Sequence, residues 1–231
     1  MAPAAKQRTQ DERSAITRNK LAKAAFEAIR DGGYGGLRTA AVAKSAGVSQ
    51  GGQLHHYATK EELAFAATHY GFAQAEATAA RNLQKFADGD GSPVDPVRAL
   101  LDDSLDFYFS GAFEVAIDVV KGTQLPELRR QVAQVSRKFR EFAERGWLEH
   151  LVAHGWAKAD AQDVIDLSTS IVRGLAIRKW IHRDTGQYQR LLERWVTMVY
   201  AACPPQATHG KPVLTNGRQS NMRGKRAVHL Q

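Results

Sequence analysis

Apolar residues recur with helical spacing along almost the whole chain, and this feature constrains the fold more than any other. From residue 14 to residue 202 they return at intervals of three and four, which places them on one face of an α-helix. The apolar–polar alternation of a half-buried strand is not sustained, and no Asn-Gly or Asp-Gly turn separates two β-branched runs. We therefore expect an all-α fold.

Glycine, proline and capping residues divide this pattern into nine predicted helices. The capping residues are Thr39, Ser49, Thr59 and Asp95, because a side-chain oxygen there can accept from exposed backbone N–H groups. Residues 88–93, rich in Gly and Asp, predict a linker. The expected helices span about residues 16–30, 39–46, 49–56, 59–87, 95–108, 113–121, 126–154, 160–182 and 188–202.

The net charge of +8 is unevenly distributed along the 231 residues. Residues 1–60 carry +6, residues 61–203 carry −3 and residues 204–231 carry +5. A basic head suggests a polyanionic partner, whereas the tail lacks apolar periodicity and is expected to be disordered. The sequence contains a single cysteine, Cys203, and neither a long apolar run nor a signal-peptide pattern. We therefore predict a cytoplasmic protein with no membrane span.

Residues 37–57 predict a short helix, a glycine turn and a second short helix. The apolar inner side is formed by Val42, Ala43, Ala46 and Val48, and the small alanines allow two helices to cross closely. A helix-turn-helix has this arrangement and places its second helix in the major groove of DNA. The competing interpretation is a flexible turn in an ordinary helical bundle.

The same segment resembles the DNA-binding domain of TetR/AcrR-type transcriptional regulators. The resemblance rests on Val42-Ala43-Lys44-Ser45-Ala46-Gly47-Val48-Ser49-Gln50-Gly51, then His55-His56-Tyr57, then Thr59-Lys60-Glu61-Glu62-Leu63. It implies a three-helix DNA-binding domain joined to a six-helix domain for ligand binding and dimerisation. It also implies a homodimer on an approximately palindromic double-stranded operator, released when a small molecule enters the body.

We accordingly predict a flexible arm at residues 1–13, a helix-turn-helix domain at 14–58, a ligand-binding and dimerisation domain at 59–203 and a disordered basic tail at 204–231. The candidate DNA-binding residues are Arg38, Thr39, Lys44, Ser49, Gln50, Gly51, Gly52, Gln53, His55, His56, Tyr57 and Lys60.

Several of these residues have a second interpretation. An amide at Gln50 or Gln53 can bond an adenine edge at two points, and Gly51 and Gly52 permit a close approach of the backbone to DNA. The cations Arg38, Lys44 and Lys60 are either phosphate contacts or solvated surface, Thr39 and Ser49 are either caps or phosphate contacts, and Tyr57 is expected to pack. The family commonly has an apolar residue followed by tyrosine at Gln53-Leu54, so Leu54 either meets a thymine methyl or packs.

The aromatic residues of the body must mostly form a core, but some can line a ligand pocket. Apolar residues on the last two helices cover more than one face, which indicates either a dimer interface or a helix buried inside a monomer. The candidate ligand-binding residues are Phe72, Phe107, Tyr108, Phe109, Phe113, Phe142, Trp147, Arg173 and Trp180. The candidate interface residues are Ile171, Gly174, Leu175, Leu191, Trp195, Met198 and Val199.

No sequence pattern indicates catalysis, a cofactor or a metal. His55 and His56 are not part of a His-Glu-x-x-His run, and the Gly32–Gly36 cluster lacks the ending of a phosphate loop. We expect a dimeric, sequence-specific DNA-binding regulator, a repressor released by a small, largely apolar ligand. The alternatives are a helical DNA-binding regulator with no inducer and a helical enzyme.

Overall fold

The computed structural model describes residues 9–88, 95–181 and 186–206, and these residues form nine α-helices and no strand. The prediction of an all-α fold is confirmed. Of the linker predicted at 88–93, Asp88 is the last residue of α4 and residues 89–93 lie outside the described residues. Most of the N-terminal arm and the tail beyond residue 206 also lie outside them. The helices are α1 (Gln10–Gly36), α2 (Thr39–Ser45), α3 (Gln50–His56), α4 (Lys60–Asp88), α5 (Pro96–Tyr108), α6 (Ala112–Gly122), α7 (Pro126–Ala153), α8 (Lys158–Ile181) and α9 (Tyr188–Ala202).

Helix α1 begins earlier than the apolar pattern predicts. The Thr9 hydroxyl accepts from the Glu12 backbone N–H at 3.2 Å, and the Glu12 carboxylate accepts from the Thr9 N–H at 2.9 Å. This reciprocal capping box satisfies two exposed donors, so residues 10–13 are helical and do not belong to a flexible arm. The helix breaks near its other end at Gly33, where φ is +66°.

The predicted caps of α3 and α5 are confirmed. The Ser49 hydroxyl accepts from the Gly52 N–H at 3.1 Å, and Asp95 accepts from Val97 at 2.9 Å, one residue before Pro96 opens α5.

The cap predicted at Thr39 is wrong, and the box predicted at Thr59 is only half formed. Thr39 is the first residue of α2, and Arg38 before it makes no side-chain capping bond. Thr59 accepts from Glu62 at 3.1 Å, but the Glu62 carboxylate accepts from the N–H of Ala58 at 2.7 Å.

Two clusters of buried apolar side chains form the interior. The first joins α1, α4, α6 and α7 and includes Leu21, Phe26 and Leu63. The second joins α5, α7, α8 and α9 and includes Trp147 and Ile165. Because α1 shares its core with α4 and α6, the N-terminal helices α1–α3 are packed onto the body and not merely tethered to it.

Tyr34 lies where α1, α4 and α6 meet. Its hydroxyl donates to Glu61 at 3.3 Å, and the Lys60 ammonium lies 4.4 Å from the centre of its ring. A Cβ atom added to Gly122 would lie 2.6 Å from the ring, so glycine is required for α6 to end this close. Burial raises the pKa of Tyr34, which keeps the hydroxyl protonated and able to donate.

The residues at the end of α9 form hydrogen bonds with the turn between α7 and α8. The Trp156 indole donates to the Cys203 carbonyl at 2.8 Å, and the Gln206 N–H donates to the Gly155 carbonyl at 2.8 Å. Gly155, at φ +95°, follows the end of α7 as its sequence position predicts. Among the described residues, no helix is both long and apolar enough to span a membrane.

Candidate functional site

Helices α2 and α3 form a compact helix-turn-helix. The turn passes through Gly47 at φ +67°, and the Val48 N–H donates to the Ala43 carbonyl at 2.9 Å. Val42 and Ala43 are buried, and Ala46 and Val48 pack against the first core cluster. The predicted inner side is therefore confirmed, and it fixes which side of α3 faces outward.

Four exposed residues, Gln50, Gly51, Leu54 and His55, form what we call the outer face of α3. Their spacing places them within about 140° of one another around the helix axis, at about 100° per residue. Leu54 is 50% exposed, although it is a large apolar residue. A molecule that binds to this face meets the Gln50 amide, the bare backbone at Gly51, the apolar side chain of Leu54 and the His55 imidazole.

Gln53 lies on the opposite side of α3 and cannot read a base, so its prediction as a DNA-binding residue is wrong. It is fully buried, and its amide nitrogen donates to the Tyr57 carbonyl at 2.6 Å. Its amide oxygen is buried and has no hydrogen-bond partner among the residues that the structure describes. The position falls about 100° before Leu54 on the helix, which turns it toward the core.

The two glycines of α3 have different roles. A Cβ atom on Gly52 would lie 3.1 Å from Val48 Cγ1 and 3.2 Å from Ser49 Oγ, so packing within the turn restricts this position. A Cβ atom on Gly51 would meet nothing within 4 Å. No contact with a described residue therefore explains a glycine at position 51.

The predicted cations lie around the helix-turn-helix in different environments. Lys44 is exposed, Arg38 donates to the Gly35 carbonyl at 2.5 Å, and Lys60 lies over Tyr34. A further exposed cation, Arg18 of α1, lies outside the sequence motif, and only the fold brings it near His56.

The end of α3 is packed against α1. The Tyr57 hydroxyl donates to the Arg18 carbonyl at 3.4 Å, and the Tyr57 ring packs against the first core cluster, as expected. Burial, the nearby His55 and Arg18 lower the pKa of His56, so its imidazole is neutral at pH 7.

A cavity of about 480 Å³ lies between α5, α7 and α8, with Phe113 of α6 at its wall. The predicted ligand-binding residues on its wall are Phe107, Tyr108, Phe113, Trp147 and Arg173.

The other four predicted ligand-binding residues are not on the wall of this cavity. Phe72 lies behind the ring of Phe107, at 5.7 Å between centroids, and Phe109 packs on Tyr188 at 6.4 Å. Phe142 packs against the first core cluster, and Trp180 is 43% exposed and stacks on Phe113 from outside. The sequence shows which residues are aromatic but not which of them line the cavity and which pack behind its wall.

Charged side chains of α7 and α8 line the cavity together with its aromatic rings. Arg140 pairs with Glu144 at 3.5 Å, whereas Arg173 donates to the neutral Ser170 hydroxyl at 3.1 Å. Within the described part of the chain, no carboxylate lies within 4.0 Å of the Arg173 guanidinium. Burial raises the pKa of Tyr108, which keeps its hydroxyl protonated beside Arg173.

A buried carboxylate, that of Asp103, is also among the groups that line the cavity. Asp103 is 7% exposed, and it accepts from the Trp147 indole at 2.8 Å and from the Asn82 amide at 2.7 Å. Burial raises its pKa, although both hydrogen bonds oppose that shift. This carboxylate is satisfied by the protein and holds Trp147 in place.

Helices α8 and α9 carry an outward apolar surface, which we call the α8–α9 face. Leu167 and Met198 are each 52% exposed, and the indole of Trp195 donates to Ser168 at 2.9 Å. Leu175 and Val199 are only 7% and 3% exposed and pack in the second core cluster. Their prediction as interface residues is therefore wrong. The α8–α9 face consists of the exposed residues Leu167, Gly174 and Met198 and of three half-buried residues that also pack against the second core cluster, Ile171, Leu191 and Trp195.

Comparisons with known proteins support a single family. Residues 21–67 match the family model of bacterial regulatory proteins of the tetR family. The chain is 35% identical over 187 residues to the HTH-type transcriptional regulator CymR of Pseudomonas putida, covering 80% of this chain and 90% of the relative. The chain belongs to the TetR family.

Solved structures of low identity share the TetR-family fold. A transcriptional regulator from Rhodococcus sp. Rha1 matches with a TM-score of 0.62 and 20% identity, over 82% of this chain and 99% of that one. The regulator FadR from Bacillus subtilis, solved in complex with stearoyl-CoA, matches with a TM-score of 0.52 and 17% identity, over 77% and 97%. This chain is thus a TetR-family transcriptional regulator that binds DNA through an N-terminal helix-turn-helix.

Across the described ranges, no three His, Cys, Asp or Glu side chains gather closely enough to hold a metal ion. The relatives reported above are transcriptional regulators.

The buried position of Gln53 can be tested by substitution. Gln53→Leu removes an amide oxygen that is buried without a partner among the described residues, but it also removes the donor to the Tyr57 carbonyl. The two effects oppose each other, so we expect the free energy of unfolding to change by no more than about 1 kcal/mol. DNA affinity is expected to stay within about threefold of wild type. Urea unfolding and fluorescence anisotropy measure the two quantities. A large loss of affinity in a folded Gln53→Leu protein would show that this side chain reaches the DNA.

Proposed function

We propose that this protein is a dimeric, sequence-specific repressor that a small, largely apolar ligand releases from an approximately two-fold symmetric operator. The observation that carries the proposal is the outer face of α3, which presents Gln50 on an exposed helix beside exposed cations. DNA binding itself follows from the family. We propose in addition that the protein represses transcription, forms a dimer and binds a small-molecule ligand.

Gln50 is the proposed base reader, because its exposed amide can donate and accept along one adenine edge. Gly51 lets the backbone approach the groove. The remaining residues position the head on the phosphate backbone through charge, hydroxyl or imidazole groups. They are Arg18, Arg38, Thr39, Lys44, Ser49, His55, His56 and Lys60.

The α8–α9 face is the proposed dimer interface. An isologous interface places the same surface of both subunits together, so four helices meet when α8 and α9 pair with their copies. Large exposed apolar side chains such as Leu167 and Met198 are then buried in the interface, which is favourable because their apolar surface is removed from water. A dimer of this kind presents two copies of α3 to the two halves of a symmetric operator.

The cavity between α5, α7 and α8 is the proposed ligand site. Its volume of about 480 Å³ suits a small molecule. The aromatic walls favour a ligand with an apolar body. Arg173, which forms no ion pair among the described residues, favours one anionic or acceptor group on that ligand. FadR of Bacillus subtilis, solved with stearoyl-CoA, gives a precedent for an acyl ligand in this fold.

Packed side chains connect the cavity to the head. The rings of Phe107 and Phe139 stack at 4.3 Å on the cavity wall, and Phe72 of α4 lies behind both at 5.7 Å. Phe113 on the same wall belongs to α6, whose last residues touch Tyr34 of α1. A ligand that moves these rings therefore acts on α4 and α6, the two helices that hold α1.

The DNA-binding proposal is tested with duplexes from upstream of the chain's own gene and the adjacent gene. Gln50→Ala is expected to cost about 1–3 kcal/mol per half-site, or roughly 5- to 150-fold in affinity. Lys60→Ala is expected to reduce the slope of log affinity against log salt by about 0.9 for each lost phosphate contact. Gel shift and anisotropy at salt concentrations from about 50 to 300 mM, over which exposed charges are progressively screened, measure both.

The matched control for Lys60→Ala is Lys138→Ala, which removes an exposed lysine of α7 outside the head. Its salt slope is expected to equal that of wild type. Unchanged binding by a folded protein with both Gln50→Ala and Lys60→Ala would contradict the role given to α3.

The dimer proposal is tested at Met198. Met198→Glu places a charge in the proposed interface, so we expect monomers at micromolar concentration and a large loss of operator affinity. Leu125→Glu is the control, because Leu125 is 48% exposed but lies at the start of α7, away from the α8–α9 face. Sedimentation velocity gives the oligomeric state. Dimers that persist in the Met198→Glu protein would place the interface elsewhere.

The ligand proposal is tested by thermal shift with apolar aromatic and aliphatic acids and with their neutral amides. A ligand is expected to raise the unfolding midpoint and to lower operator affinity. Arg173→Ala is expected to reduce the shift caused by acids more than that caused by amides. Arg145→Ala, an exposed arginine of α7 off the cavity wall, is the control. If stabilising compounds leave DNA affinity unchanged, the inducer-free regulator is the better description.

A further inference from the structure

We propose that Leu54 reads the C5 methyl group of a thymine in each half of the operator, and that Gly51 leaves the space which this contact needs. The inference rests on the proposed role of α3 in DNA recognition and adds to it an apolar contact of defined chemistry. It adds a second sequence-reading contact to that of Gln50, whereas the cations account for binding to DNA of any sequence.

The structure decides between the two interpretations that the sequence leaves open for Leu54. The side chain is 50% exposed, and the apolar residues near it that do pack on the core are Val48 and Tyr57. The inward position on this turn of α3 is taken by Gln53, which is fully buried. Leu54 follows it by about 100° and therefore points away from the core.

Leu54 lies in the middle of the outer face of α3. Residues four apart on a helix are separated by about 40° around the axis, and residues three apart by about 60°. Leu54 is four residues from Gln50 and three residues from Gly51, so it projects between them. A base pair beside the Gln50 amide is thus also within the reach of the leucine.

Gly51 supplies the space for this contact. A Cβ atom at this position would meet nothing within 4 Å, so the fold places no demand for glycine there. Glycine inside a helix costs stability relative to alanine, and close approach of another molecule to the backbone is a physical reason to retain it. Gly52 differs, since Val48 and Ser49 restrict it from within the protein.

The chemistry of the major groove selects the partner of Leu54. A leucine side chain neither donates nor accepts a hydrogen bond, so it cannot replace water at a phosphate or at a polar base edge. The C5 methyl of thymine is the apolar group that base pairs present in the major groove. Single exposed apolar residues are common on protein surfaces, but this one lies between a base-reading amide and an open glycine on the face directed at DNA.

The test uses the full-length chain and a duplex selected with it from a random pool. Each thymine of the selected site is replaced in turn by uracil, symmetrically in both halves, which deletes the methyl and keeps the base pair. For wild type we expect one position where affinity falls about fourfold per half-site, or about fifteenfold in total, the equivalent of ~0.8 kcal/mol for each buried methyl. The Leu54→Ala protein is expected to bind the duplex with thymine at that position and the duplex with uracil there with equal affinity.

Gln50→Ala is the matched control on the same face, and it is expected to keep the uracil effect at that position while losing discrimination at a neighbouring base pair. Unchanged thermal midpoints show that both variants fold. The inference is overturned if no uracil substitution weakens wild type, or if Leu54→Ala loses the same factor as wild type; DNA recognition by α3 then still stands. If the chain selects no duplex at all, the proposed function and this inference both fall.

Discussion

The burial of α1 in one core with α4 and α6 is the constraint on which the rest of the structure depends. Leu21, Phe26 and Leu63 belong to the same cluster as side chains of α6 and α7, so the helix-turn-helix has no separate interior. Short helices such as α2 and α3 are unstable alone, and their orientation is set by the surface on which they pack. A rigid surface beneath them is what allows four residues of α3 to face one way.

Tyr34 shows how that shared core can transmit a change. It contacts Glu61 and Lys60 at the start of α4 and the end of α6 at Gly122, so three helices meet at one aromatic ring. Packed interiors respond to a displaced element by shifting their neighbours and not by leaving a void. A ligand between α5, α7 and α8 would thus act on the head through side-chain packing, with Phe107 and Phe113 at the start of the path.

Much of this organisation was predictable from the residues. The helical spacing, the Ser49 and Asp95 caps and the glycine turn at Gly47 depend on neighbours within about one helical turn, and all three were predicted correctly. Predictions that depended on which way a side chain points were less successful. Gln53 was expected at the DNA and is buried, and Leu175 and Val199 were expected at an interface and lie in the core.

The sequence by itself determined the all-α class, the helix-turn-helix and the family, because these follow from local hydrogen bonding, periodicity and a short motif. Only the tertiary structure decided which face of each helix is covered. A shift of one residue turns a helical side chain by about 100°, so Gln53 is buried and Leu54 is exposed although they are adjacent in sequence. The aromatic residues that line the cavity were likewise separated from those behind it by the packing of distant helices.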